Sequence, residues 1–321
     1  MKLVADVADG IWTLDRDFSN LTIQRPDIEW NGRPWTYRQR ILASPPDSVL
    51  AEADMYGPRW EMVRRFNDAN AIDSIDIDPP RAKLGLLAVG TAYDSLRQAL
   101  DELDLGERRL REIGIRVMRI GMPFPLGERK IKQFARDLET ILVVEDKTSF
   151  VETQVKEILY GTLDAPRIVG KLDRGRTPLV PSDGELTAAR LSRPLRRVLG
   201  GYVELPKPPP PVLDLTVLPA KRAPYFCSGC PHNRSTAVPE GSLAGGGIGC
   251  HTLVTMSSRA DSQVTGLTQM GGEGAQWIGQ APFTDISHIF QNVGDGTYFH
   301  SGQLAVQACI AAGVNITYKI L

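Results

Sequence analysis

The sequence predicts an α/β protein with parallel sheets, on two observations. Short apolar runs alternate with amphipathic stretches between Leu84 and Gly161, and a further strand, loop, helix and strand occupy Ile289 to Leu321.

Along the chain, residues 1–80 are the least periodic. They hold the aromatic-rich stretch Trp30 to Arg40 and one predicted helix from Ser48 to Asn70. LGLLAVG (84–90) then reads as a buried strand, AYDSLRQALDEL (92–103) as an amphipathic helix and IRVMRI (115–120) as a strand. ERKIKQFARDL (128–138) follows as a helix, TILVVE (140–145) as a strand and FVETQVKEIL (150–159) as a helix, with Ile168-Val169 as a further edge strand. Repeated β-α units of this kind predict a parallel sheet covered by helices. The turn Gly90-Thr91-Ala92-Tyr93 does not complete a G-x-G-x-x-G fingerprint, so this part reads as a packing or assembly domain, not a dinucleotide site. Leu172 to Arg222 reads as a linker, because the run from Pro206 to Pro211 favours an extended polyproline spacer; a recognition peptide for another protein is the alternative.

The character of the chain changes after residue 222. The 99 residues from Ala223 to Leu321 carry 15 of the 30 glycines, 8 of the 75 charged residues, and all four cysteines and all four histidines. Chemistry is therefore expected at this end. In the chain as a whole 37 Lys and Arg balance 38 Asp and Glu, so no global field collects nucleic acid or an anionic membrane. No apolar run approaches the ~18 residues of a membrane span, and MKLVADVADG lacks the features of a targeting signal, which predicts a cytoplasmic protein. Four cysteines in 321 residues are too few for a disulfide scaffold.

Cys227-Ser228-Gly229-Cys230-Pro231-His232 is followed by Gly247-Ile248-Gly249-Cys250-His251. A Cys-x2-Cys turn lets two thiolates reach one metal centre, and Gly229 removes the side chain that would crowd it. Three cysteines with a later fourth suit a [4Fe–4S] cluster; the same three with His232 or His251 suit zinc; a reduced, buried cysteine group is the plain structural reading. Further on, the apolar strand IFQNV ends in Gly294-Asp295-Gly296, and GQLAVQACIAAG reads as a helix before the strand VNITYKIL. A carboxylate between glycines at a strand end suits Mg²⁺, with backbone N–H groups receiving phosphate. Cys309, among Leu304, Ala305, Ala308 and Ala312, reads as core, and His288 as structural. Glu273, in the glycine-rich Met270 to Gly279, either orients a cofactor, caps a helix or sits in a plain loop.

Taken together, PYFCSGCPHNRSTAVPEGS, GGIGCHT, MGGEGAQWIGQAPFT, FQNVGDGTYFHSGQLA and AAGVNITYKIL resemble the 2-oxoacid:ferredoxin oxidoreductases, and within them the long bacterial indolepyruvate ferredoxin oxidoreductases. The resemblance implies a tail of a pyrimidine-binding domain with a connecting segment over 1–80, a transketolase C-terminal-like domain over 81–171, a linker over 172–222 and a partial thiamine diphosphate-binding domain over 223–321. It implies thiamine diphosphate, Mg²⁺ and [4Fe–4S] as cofactors, a 2-oxoacid substrate, coenzyme A and ferredoxin as partners, and a homo-oligomeric full enzyme. By position, Asp295 should ligate Mg²⁺, Gly294 and Gly296 should line the diphosphate, Cys227, Cys230 and Cys250 should hold a cluster, and His232 and Gly249 should lie beside the cofactor. The Asn completing the family's Mg²⁺ site, the fourth cluster cysteine and the Glu that activates the cofactor's aminopyrimidine belong to parts of the family pattern outside these residues, and Gln269 stands where the family has His. An internal part of a longer enzyme is the resulting expectation. A zinc-binding interaction module and an inactive truncated product are the competing ones.

Overall fold

The computed structural model describes residues 22–38, 44–207, 224–257 and 259–321. The expected pyrimidine-domain tail around Leu3 to Gly10 and the prolines from Pro208 to Pro211 lie outside the described residues. The chain divides into two units, up to Pro210 and from Pro211 onward.

The first unit opens with a hairpin of β1 (Ile28–Trp30) and β2 (Arg33–Trp35). Its turn is Asn31-Gly32, both at positive φ (52° and 74°), the residue pair whose backbone matches the twist of an antiparallel pair. The single helix expected over 48–70 is two, α1 (Asp47–Asp54) and α2 (Trp60–Ala69), joined by a π turn. Gly57 leaves the helical region there (φ −102°, ψ −105°) and Pro58 has no N–H to donate. A Cβ at Gly57 would stand 2.8 Å from the Trp30 ring, so the break lets the hairpin pack closely.

β3 (Ser74–Ile77), β4 (Leu84–Val89), α3 (Ala92–Asp101), α4 (Glu107–Ile113), β5 (Ile115–Ile120), α5 (Glu128–Ala135), β6 (Thr140–Val144), α6 (Val151–Leu159), β7 (Arg167–Val169) and α7 (Ala188–Leu199) follow. The sheet runs β3-β5-β4-β6-β7, parallel except for β3. Side-chain alternation sends Leu84, Leu86 and Ala88 of β4 to the face covered by α3, α4 and α7, and Leu87 to the face covered by α5 and α6. The expected strands and helices from Leu84 to Leu159 are all present in this α/β layering.

Two expected boundaries are corrected. The sheet begins before residue 81, since β3 pairs with β5. Leu172 to Arg222 is not a linker over its described part: Leu191, Leu195 and Leu199 of α7 are fully buried in the core beside Leu96 and Leu100 of α3. Each such leucine contributes about 1.5–3 kcal/mol by leaving water.

The second unit contains α8 (His232–Ser235), β8 (Leu243–Gly246), a 3₁₀ turn (Cys250–Met256), β9 (Val264–Leu267), α9 (Ala275–Gln280), β10 (Ile289–Val293), α10 (Asp295–Thr297), α11 (Gln303–Ala312) and β11 (Ile316–Ile320). Its sheet runs β11-β10-β8-β9 with every pair parallel. No polar turn separates Gly-Asp-Gly from the helix; the helix starts at Asp295 and reaches α11 through a π turn over Tyr298–Gly302. Gly313 ends it in the left-handed conformation, φ 65°. Among the described residues no helix is long and apolar enough to cross a membrane.

Candidate functional site

Parallel sheets gather ligands at the carboxyl ends of their strands, where loops meet uncovered backbone. Here β10 ends at Val293 and Gly294 continues in extended conformation (φ −68°, ψ 144°) before Asp295 turns into helix. Two ladder bonds pin this step: the Leu321 N–H donates to the Val293 carbonyl (2.9 Å), and the Asp295 N–H to the Leu321 carbonyl (3.1 Å). The Asp295 side chain is exposed, and its Oδ1 accepts the Gly296 N–H at 2.7 Å. One backbone donor uses only part of a carboxylate's acceptor capacity, so Asp295 retains hard oxygen sites for a divalent cation. A Cβ on Gly296 would meet nothing within 4 Å, which leaves that backbone open to a ligand.

The Cys-x2-Cys segment is a tight turn. The Cys230 N–H donates to the Cys227 carbonyl (3.0 Å), with Gly229 at φ 74° in the position where a turn of this kind demands glycine. The Asn233 amide donates to both the Cys227 and Cys230 carbonyls (3.3 and 3.2 Å). Backbone oxygens are thus satisfied while the Cys227 thiol is exposed and Cys230 half-buried. Cys250 is also exposed, on a loop held by Thr252, whose hydroxyl donates to the Gly247 carbonyl (2.6 Å) and accepts the Gly249 N–H (3.1 Å).

His251 connects these segments. It is buried, its ring lies 6.2 Å from that of His232, and His232 lies 5.5 Å from Phe226. A Cβ on Gly249 would come within 3.1 Å of the His251 ring, and one on Gly294 within 3.8 Å, so glycine at both positions lets the ring sit between the cysteine loop and the end of β10. Burial, then repulsion from His232, holds the His251 imidazole below the usual histidine range, against an opposing pull from Glu273.

Glu273 is almost fully buried. Its Oε2 accepts the Gly271 N–H at 2.7 Å, and its Oε1 has no partner and would contact a Cβ on Gly247 at 2.9 Å. It therefore caps no helix and sits in no exposed loop. Asn292 of β10 is buried with neither amide atom bonded, and His251 Nε2 is likewise unpartnered. Sequence reading missed the buried amides: Gln276 donates to Gln291 (2.8 Å), and Gln291 donates to the Asn292 carbonyl (2.9 Å). Two consecutive polar residues inside the apolar strand IFQNV were the available signal.

As expected, Cys309 is core: its thiol donates to the Gly274 carbonyl and accepts from Tyr318, both at 3.3 Å. His288 is structural, bonded to Thr317 (2.9 Å) and stacked edge-on to Phe290. Among the described residues no three His, Cys, Asp or Glu side chains converge as a ready-made metal site. The thiolates of Cys227, Cys230 and Cys250 suit iron–sulfur or zinc chemistry in donor type, and Asp295 suits Mg²⁺.

A family model described as the indolepyruvate oxidoreductase domain matches residues 75–203, from β3 through α7 to one residue past Tyr202, which is half-buried and bonded to Thr140. Those residues are similar to an indolepyruvate oxidoreductase domain. Similar proteins carrying that name extend the likeness beyond it. The indolepyruvate oxidoreductase subunit IorA of Pyrococcus abyssi is 27% identical over 271 residues, 76% of this chain and 38% of the relative. IorA of Archaeoglobus fulgidus is 27% identical over 303 residues, covering 86% and 41%. The chain thus spans about two-fifths of the length of these relatives. A solved 2-oxoglutarate:ferredoxin oxidoreductase from Magnetococcus marinus superposes with a TM-score of 0.29 at 15% identity, covering 50% of this chain and 24% of that one.

Proposed function

We propose that this chain is part of a thiamine diphosphate-dependent oxidoreductase of aryl 2-oxoacids, passing electrons through [4Fe–4S] to ferredoxin and the acyl group to coenzyme A. In this reading Asp295 holds Mg²⁺, Gly294 and Gly296 admit the diphosphate, and Cys227, Cys230 and Cys250 bind a cluster, with His232 and Gly249 beside the cofactor. The β-α layers that include residues 81–171 are then the transketolase C-terminal-like domain and residues 223–321 the diphosphate-binding part. The observation that carries the reading is the packing of both cysteine segments and the Gly-Asp-Gly step around one ring, that of His251.

When bound, the cofactors supply a carbanion-stabilising centre and one-electron acceptors. The chain's own residues bind and orient. Gly296 leaves backbone open to phosphate oxygens, Asp295 offers a hard anionic oxygen, and the ladder to Leu321 keeps that carboxylate at the strand end. Buried Glu273, Asn292 and His251 form a floor of polar atoms beneath the loops.

The test is anaerobic reconstitution of the full chain with iron and sulfide, followed by metal analysis and calorimetry with thiamine diphosphate with and without Mg²⁺. Bound iron with acid-labile sulfide, and Mg²⁺-dependent cofactor binding that Asp295→Asn weakens about tenfold or more, are expected. Stoichiometric zinc without iron, and no cofactor affinity, would instead establish a zinc-binding interaction module.

A further inference from the structure

A second site lies in the first unit, far from any residue used above in sequence and in chemistry. Between α2 and α5 runs a groove of about 1100 Å³, slightly above the ~300–1000 Å³ typical of small-molecule sites. Five cations and three carboxylates line it, in a chain whose overall charge is −1. Three of the cations are matched: Arg65 with Glu61 at 2.7 Å, Arg129 with Asp68 at 2.7 Å and Lys132 with Glu128 at 2.5 Å.

Arg64 and Arg136 are left over; neither has a carboxylate within ion-pair distance among the described residues. The Arg64 guanidinium lies 5.9 Å from the centre of the Trp60 ring, and its Nε is buried without an acceptor. A buried charged donor with no partner costs more than an ordinary lost hydrogen bond, so an acceptor entering the groove would relieve it. Arg136 is exposed, but its backbone is anchored, its carbonyl accepting from Arg116 at 2.8 Å. Apart from Ala69 and Gly127, every lining residue is charged or an amide, so an apolar ligand gains little here.

We propose that this groove binds an oligophosphate, either free or as the phosphate chain of a nucleotide, gripped by Arg64 and Arg136. Guanidinium forks match phosphate oxygens in pairs, which a single ammonium does not. The Arg65–Glu61 and Lys132–Glu128 pairs are solvent-facing and hold their partners weakly, so Arg65 and Lys132 can turn to a multiply charged guest at small cost, while Arg129 stays with the mostly buried Asp68.

Hydrogen exchange of the full chain with tripolyphosphate, with ADP and with hexaglutamate tests this. Tripolyphosphate should protect peptides covering 60–69 and 127–136, and Arg64→Gln with Arg136→Gln should weaken its binding about tenfold or more. Arg136→Gln alone alters an exposed side chain and should weaken it by part of that amount. Protection by ADP of equal strength would assign the site to nucleotides; protection by tripolyphosphate only would assign it to free oligophosphates. The inference is overturned if tripolyphosphate leaves both peptides unprotected, if the double variant keeps full affinity, or if hexaglutamate protects them and tripolyphosphate does not, which would make the groove a surface for acidic polypeptide. Asp295→Asn should leave this protection unchanged, so the result is read independently of the diphosphate site proposed above.

Discussion

His232 and His251 meet edge to face, with ring centroids 6.2 Å apart. They are the side chains through which the Cys-x2-Cys turn and the Cys250 loop touch, since each histidine lies one or two residues from a cysteine. If the cysteines act together, Cys227→Ser and Cys250→Ser should each lower iron retained after anaerobic reconstitution about tenfold or more. Cys309→Ser, at a core thiol, should leave iron unchanged. Equal iron in all three variants would sink the cluster assignment.

Gly274 touches Tyr318 through the position a Cβ would take, and its φ is 90°. Gly274→Ala would force the Tyr318 hydroxyl off the Glu273 carbonyl it now reaches at 2.9 Å. Overpacking and a strained backbone together should cost about 2 kcal/mol or more. Chemical denaturation measures it; a loss under ~0.5 kcal/mol would show that the loop can move aside.

Arg116 holds three groups at once. Its Nε donates to Asp78 at 2.6 Å and its Nη1 to the Phe134 and Arg136 carbonyls at 2.7 and 2.8 Å, with only 10% of the side chain exposed. Arg116→Met keeps the stem and removes the donors, which strands two carbonyls, and should destabilise the first unit by about 2–4 kcal/mol. An unchanged unfolding midpoint would mean that water replaces the guanidinium.

Lys319 donates to the Ala237 carbonyl at 3.0 Å, and burial lowers its pKa. The unfolded chain then holds this proton more tightly than the folded one. Stability from this group is therefore least at low pH and rises as pH climbs through the lowered value toward the ordinary ~10.4. Tyr318 acts oppositely: burial, then its bonds to Cys309, raise its pKa, so it withdraws stability only above its ordinary ~10. Urea melts between about pH 8 and 9.5 should show a gain that Lys319→Met abolishes; a gain surviving in the variant would assign it elsewhere.

Legibility in the sequence followed the physics of each segment. Between Leu84 and Leu159, buried strands are continuous apolar runs and the longer helices carry their apolar stripe at helical spacing, so every element was readable except α4, a seven-residue helix that buries only Leu110. α7 was not: four arginines and Pro194 obscured the spacing of Leu191, Leu195 and Leu199, and the prolines downstream suggested a linker. The long helix at 48–70 was overread, because Gly57-Pro58 breaks it where Trp30 packs. At the site, cysteines and Gly-Asp-Gly announce themselves by spacing. Glu273 stands out in the sequence but with three readings, and Asn292 does not stand out at all, since a polar residue in sequence says nothing about which neighbours leave it unbonded.

The second half of β8 is bare, and what replaces its side chains comes from elsewhere: Gln291 over Gly245, Leu267 against Gly246, Glu273 against the following Gly247. Variation at these three glycines is consequently restricted, because a methyl group at any of them displaces a neighbour. Asp295, its side chain exposed and bonded only to the next residue's N–H, is the reverse: its replacement should leave the fold in place, with ligand binding registering the change. A saturation scan scored for abundance should therefore be blank at Asp295 and severe at Gly245, so that in this unit the positions that keep the protein folded and those that give it chemistry separate residue by residue.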